Sequence, residues 1–158
     1  MELRQRLLVT SAAVLATVFG AGAMAAPAMA STHPATARPA YTGTNISYEY
    51  EGNSGCANAN WKYCLYYQQN LGGAYWGTNQ QTFKTIIATY PDDGLAGQGK
   101  PVRNDAASMA NNTPNCHVTT WVYPNYVGDF NWLLPTYWGN LTSTLHNNEA
   151  SISYNTCY

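Results

Sequence analysis

Three histidines, four cysteines and one adjacent pair of aspartates are the residues of this 158-residue chain best suited to chemistry. His33 stands among Thr, Pro and Ala, His117 follows Cys116, and His146 precedes two asparagines. A zinc hydrolase often carries H-E-x-x-H on a helix, and an α/β-hydrolase carries G-x-S-x-G at a strand-to-helix turn. Neither pattern occurs. Asp92 and Asp93 have the look of paired acid–base carboxylates, but Pro91 and Gly94 flank them and mark an exposed turn. His117 and His146 read as strand-end residues rather than bases. The expectation is a protein that is not an enzyme.

The first thirty residues read as an export signal. Arg4 and Arg6 are followed by an apolar run from Leu7 to about Ala25 and by Ala28-Met29-Ala30, a small-residue cleavage pattern. The expected product is secreted and extracellular. Cleavage after Ala30 removes Arg4, Arg6 and Glu2 and leaves five Lys/Arg against seven Asp/Glu. Nucleic-acid binding needs a clustered basic face, and none is present. No membrane partner is expected either, and the chain is expected to be a monomer.

Cys56, Cys64, Cys116 and Cys157 all lie in the exported part. An even count in a short exported chain points to two disulfides. A zinc quartet wants short paired spacings such as C-x2-C, which are absent. Three connectivities are open. Cys56–Cys64 with Cys116–Cys157 is favoured, because each pair then falls within one half of an internal repeat. Loop entropy gives roughly 2.6 kcal/mol for the short ring and roughly 4 kcal/mol for the long one.

The elements that hold these residues come next. Residues 31–54 are rich in Thr, Ala, Ser and Pro and read as a flexible leader, although "ISYEYEG" (46–52) alternates enough for a strand at its end. The folded domain is expected over 55–158. It is dense in Tyr, Trp, Gly and Asn and poor in charge. Short alternating runs such as "VTTWVY" (118–123) and "SISYNT" (151–156) are separated by Gly, Pro and Asn, the pattern of a small all-β domain.

The sequence repeats itself. Tyr66, Leu71, Gly73 and Tyr75 recur 55 residues later as Trp121, Tyr126, Gly128 and Phe130. "RNDAASMANNT" (103–113) returns 43 residues later as "HNNEASISYNT" (146–156). The first half therefore carries twelve extra residues, placed somewhere in 77–103, around the mobile-looking "PDDGLAGQGKP". Each glycine fits a tight fold closed to residues with a Cβ. Four strands per half, used twice, predict two Greek keys packed as a sandwich.

Aromatic-x4-aromatic-x-Gly followed by (Asn/Asp)-(Asn/Asp)-x-x-(Ser/Thr) in each half resembles the βγ-crystallin double Greek key. The export signal, the cysteines, "CLYYQQNLGGAYW" and "VYPNYVGDF" resemble, more narrowly, the secreted actinomycete metalloproteinase-inhibitor family, peptidase inhibitor family thirty-six. The resemblance runs from about Cys56 to Cys157. Met109 and Ile152 stand where crystallin turns end in a second serine, and Leu71 stands where an aromatic is usual.

The resemblance implies an all-β, βγ-crystallin-like sandwich. It also implies a calcium site on each repeated turn, drawn from Asn104, Asp105 and Ser108 and from Asn147, Asn148 and Ser151. Ca²⁺ takes six to eight hard oxygens, so so few charged ligands imply weak binding, and no cofactor is required. Alternatively, Asn and Asp cap the turns through their own backbone while the serines satisfy strand ends. The implied partner is an extracellular metalloprotease. An inhibitor of this kind needs a loop already in its bound shape. Two loops qualify, 56–64 ("CANANWKYC") and the insertion 77–103. Trp61 or Tyr63 is the aromatic anchor expected of such a contact, unless both pack on the domain itself. A different class, binding of cell-wall carbohydrate, including a killer-toxin-like role, fits the abundance of Tyr and Trp.

Overall fold

The computed structural model describes residues 40–50 and 54–158. The expected signal (1–30) and residues 31–39 and 51–53 lie outside them.

The first repeat unit contributes β3 (Tyr63–Tyr66), β4 (Tyr75–Thr78), β5 (Thr82–Phe83) and β6 (Ser108–Asn111). The second contributes β7 (Cys116–Tyr123), β8 (Val127–Leu133), β9 (Tyr137–Asn140) and β10 (Ser151–Cys157). Strands β3, β4 and β6 form one sheet, and β7, β8 and β10 form the other. The third strand of each unit crosses over. Strand β9 pairs with β6 (Gly139 opposite Met109), and β5 pairs with β10 (Phe83 opposite Ile152). Two Greek keys exchanging their third strands make this a βγ-crystallin-like sandwich of two open sheets.

The stretch expected as a flexible leader differs in its described part. Strand β1 (Gly43–Asn45) adds parallel to the edge of β8, and β2 (Glu49–Tyr50) adds antiparallel to β9. The chain reaches β9 across Gly139, where any Cβ would collide with the Ile46 carbonyl oxygen. Ordered structure therefore begins upstream of residue 55.

Alternation drives the core. Leu65, Met109, Val118, Leu133 and Ile152 are fully buried in the main cluster. Strand β3 is buried on both faces. Tyr63 and Leu65 join the main cluster, while Cys64 and Tyr66 join Cys56 and Ala110 in a second one. That second cluster includes Cys56 of α1 (Gly55–Asn58), a single turn whose N-cap Ser54 accepts from the Cys56 and Ala57 backbone N–H groups. The Cys56–Cys64 disulfide fastens α1 to β3, and Cys116–Cys157 fastens the start of β7 to the end of β10. This is the favoured pairing.

Candidate functional site

The repeated phrase is where the two units meet. Ser108 lies opposite Tyr66 across the β3–β6 ladder, and Ser151 lies opposite Trp121 across β7–β10. Both serines are fully buried. The Ser108 hydroxyl donates to the Gln68 carbonyl (2.6 Å) and accepts from the Leu71 N–H (3.1 Å). The Ser151 hydroxyl donates to the Tyr123 carbonyl (2.7 Å) and accepts from the Tyr126 N–H (3.1 Å). Leu71 and Tyr126 have φ of 57° and 63°, a left-handed conformation that costs a residue with a Cβ about 1–3 kcal/mol. Gly73 and Gly128 follow at 71° and 91°. Each serine thus holds a strained hairpin fold, and its hydroxyl is already bonded twice.

The remaining turn residues serve the junction. Asn104 (φ 65°) donates its N–H to the Glu149 carbonyl, and Asn147 (φ 55°) donates its N–H to the Ala106 carbonyl, each at 2.9 Å. Asn148 Nδ2 donates to the Thr144 carbonyl, and the Asp105 N–H donates to Glu149 Oε1. Of the residues proposed to hold calcium, Ser108 and Ser151 therefore face the hairpins through their hydroxyls. Among the described residues, no group of three or more His, Cys, Asp or Glu side chains converges on a point.

Glu149 escaped the sequence reading. It is fully buried, and Oε1 accepts from the Asp105 (3.2 Å) and Ala106 (3.1 Å) N–H groups. Among the described residues, Oε2 has no hydrogen-bond partner. Burial pushes this carboxyl up to about 8, against the pull of the surrounding backbone N–H groups. The Tyr90 hydroxyl is also buried with no partner among the described residues, and burial, with Glu149 nearby, pushes it above the usual phenol range.

The two expected anchors part company. Tyr63 is fully buried in the main cluster, edge-on to Trp76 and Tyr154. As a contact residue it is corrected: its ring packs inside the main cluster and has no route to the surface. Trp61 is 36% exposed. Its indole lies over Gly77, where any Cβ would clash with the ring. Trp61, Tyr75, Trp76, Pro91 and Asp93 line an open groove of about 440 Å³. His117 stacks on Trp132 at 5.0 Å, as a strand residue. Asp93 Oδ1 accepts from the Leu95 N–H in the expected turn.

The twelve-residue excess is bonded along its length. The Ala74 N–H donates to the Ala96 carbonyl, the Tyr90 N–H to Lys100, the Gly99 N–H to Tyr90 and the Gly94 N–H to Gln98 Oε1. Gly97 (φ 94°) lies against the Tyr67 ring, leaving no room for a Cβ. The arm leading into this loop, residues 84–90, runs without regular structure, and its burial alternates over 86–90. Ile86 and Tyr90 point inward, and Ile87 stands 88% exposed.

Among the described residues, no helix is long and apolar enough to cross a membrane. Comparison with curated protein sequences finds no match. Among solved structures, one from work on the evolution of the eye-lens βγ-crystallin domain fold aligns with a TM-score of 0.46 and 17% identity. It covers 61% of this chain and 86% of that one. The N-terminal domain of protein S aligns with a TM-score of 0.43 and 17% identity, over 60% and 94%. The sequence model of peptidase inhibitor family I36 matches residues 51–133. That span is more than half of the chain and contains the first unit, the insertion and β7, and the protein belongs to peptidase inhibitor family I36.

Proposed function

We propose that the protein is secreted and blocks extracellular metalloproteases by lodging a bonded surface loop in the protease cleft. The observation that carries this reading is the family match, because it spans both candidate loops. The scaffold suits the task. Two disulfides and the exchanged third strands fix the loops before binding, so little ordering entropy is lost on association. The metalloprotease class rests on the likeness of "CLYYQQNLGGAYW" and "VYPNYVGDF" to secreted metalloproteinase inhibitors. Titration of a bacterial zinc endopeptidase, with a serine protease alongside, tests it. Stoichiometric loss of zinc-protease activity is the expected result, and undiminished activity of both enzymes at excess protein overturns the inhibitor reading.

The groove favours a second reading. Trp61, Tyr75 and Trp76 beside Asp93 offer rings and a carboxylate to a sugar. Retention on insoluble chitin or peptidoglycan, abolished by Trp61→Ala, is the result that would favour it.

A further inference from the structure

We infer that residues 84–90 are the segment that enters the protease, with Ile87 as the side chain that fills its specificity pocket. This rests on the inhibitor reading above and adds the contact residue to it. Ile87 is the most exposed large hydrophobic residue among those described. It stands there because its neighbours are tied down. The Lys84 carbonyl accepts from the Asn125 N–H (2.7 Å), and the Ile86 N–H donates to the Ala150 carbonyl (2.9 Å). The Ala88 carbonyl accepts from the Val102 N–H (2.9 Å), Thr89 bridges to Pro101, and the Tyr90 N–H donates to the Lys100 carbonyl (2.9 Å). The partners come from the second unit's hairpin, the residue before β10 and the return arm of the insertion. Ile86 and Tyr90 are buried on either side like two feet.

Between these ties Ile87 offers what a protease cleft reads. Its backbone N–H and C=O appear in no hydrogen bond among the described residues, so they are available to pair with the edge of a cleft in the manner of an added strand. Its side chain is β-branched and stiff at χ1, so burying it costs little rotamer freedom. Ile86, directly before it, is buried, so the alternation of the arm forces Ile87 outward. By contrast, the other exposed apolar residue of the insertion, Leu95, lies in the turn after Asp93.

The test compares Ile87→Asp, Ile87→Ala and Leu95→Asp with the wild-type full-length exported protein against a zinc endopeptidase. Thermal melting checks that each variant is folded. Loss of a central anchor is expected to raise the inhibition constant of Ile87→Asp by about thirtyfold or more, with Ile87→Ala intermediate and Leu95→Asp within about threefold. Protection of amides 85–89 from hydrogen exchange in the complex is the second expected result. Wild-type inhibition retained in Ile87→Asp, or lost in Leu95→Asp instead, overturns the assignment and leaves the inhibitor reading intact. A wild type that inhibits nothing removes both.

Discussion

Glu149 and Ala106 hold equivalent places in the two units, and the glutamate reaches across to its counterpart. Glu149 Oε1 accepts from the Ala106 N–H at 3.1 Å. The Asn147 N–H, two residues earlier, donates to the Ala106 carbonyl at 2.9 Å. The junction between the units is thus closed by a buried carboxyl whose second oxygen has no partner among the described residues.

Stability should fall as pH rises across this group. Its carboxyl is raised from 4.5 to about 8 in the fold. Below about 4.5 both states hold the proton. Between the two values the folded state keeps it while the unfolded chain releases it, so each pH step favours unfolding. The contribution present at acid pH should be largely lost once pH passes 8, on the order of a few kcal/mol. Melting temperatures measured from pH 5 to 8.5 should decline. Glu149→Gln should flatten that slope, and an unchanged slope in this variant would assign it elsewhere.

The two serines should be equally costly to lose. Ser108→Ala and Ser151→Ala each leave a left-handed N–H and a carbonyl unpaired, a destabilisation of about 1–3 kcal/mol apiece. Urea denaturation of the two variants measures it. Because both hydroxyls are already bonded, calcium in excess over chelator is expected to leave the wild-type melting temperature unchanged.

Gly139→Ala should loosen the upstream strands selectively. The added methyl would collide with the Ile46 carbonyl, so the amides of 43–50 should exchange faster while those of β7 and β10 stay protected. Hydrogen exchange read by mass spectrometry distinguishes this from a global loss of stability.

Removing the long disulfide should cost more than removing the short one. Cys116→Ala with Cys157→Ala is expected to lower stability by roughly 4 kcal/mol, and Cys56→Ala with Cys64→Ala by roughly 2.6 kcal/mol. Chemical denaturation of the two double variants gives the difference.

What could be read from the chain was whatever the backbone demands locally and repeats. Gly73 and Gly128, with the serines 108 and 151, mark the same two positive-φ folds, and the repeat boundary sorted the cysteines into pairs. Tyr63 misled because the side of β3 that faces the main core is set by distant partners, here Trp76 and Tyr154, and not by its own neighbours in sequence. Strand β1, of three residues, is too short to show a period, whereas β2 lies inside the alternating "ISYEYEG". Glu149 looks like an exposed turn residue, since its burial is created by N–H groups 43 and 44 positions away. In "TIIAT" nothing local decides which isoleucine faces out. The bond from Ile86 to Ala150 decides it.

The exchanged third strands bear on what happens if a target protease succeeds in cutting its inhibitor. A single nick beside Ile87 would leave one piece ending after β5 and another beginning before β6. Neither disulfide spans that cut. Yet β1 is paired to β8, β2 to β9, β3 to β6 and β5 to β10, so the first piece is interleaved with the second in both sheets. Severing the loop there would cut the chain while these strand pairs still join the two pieces.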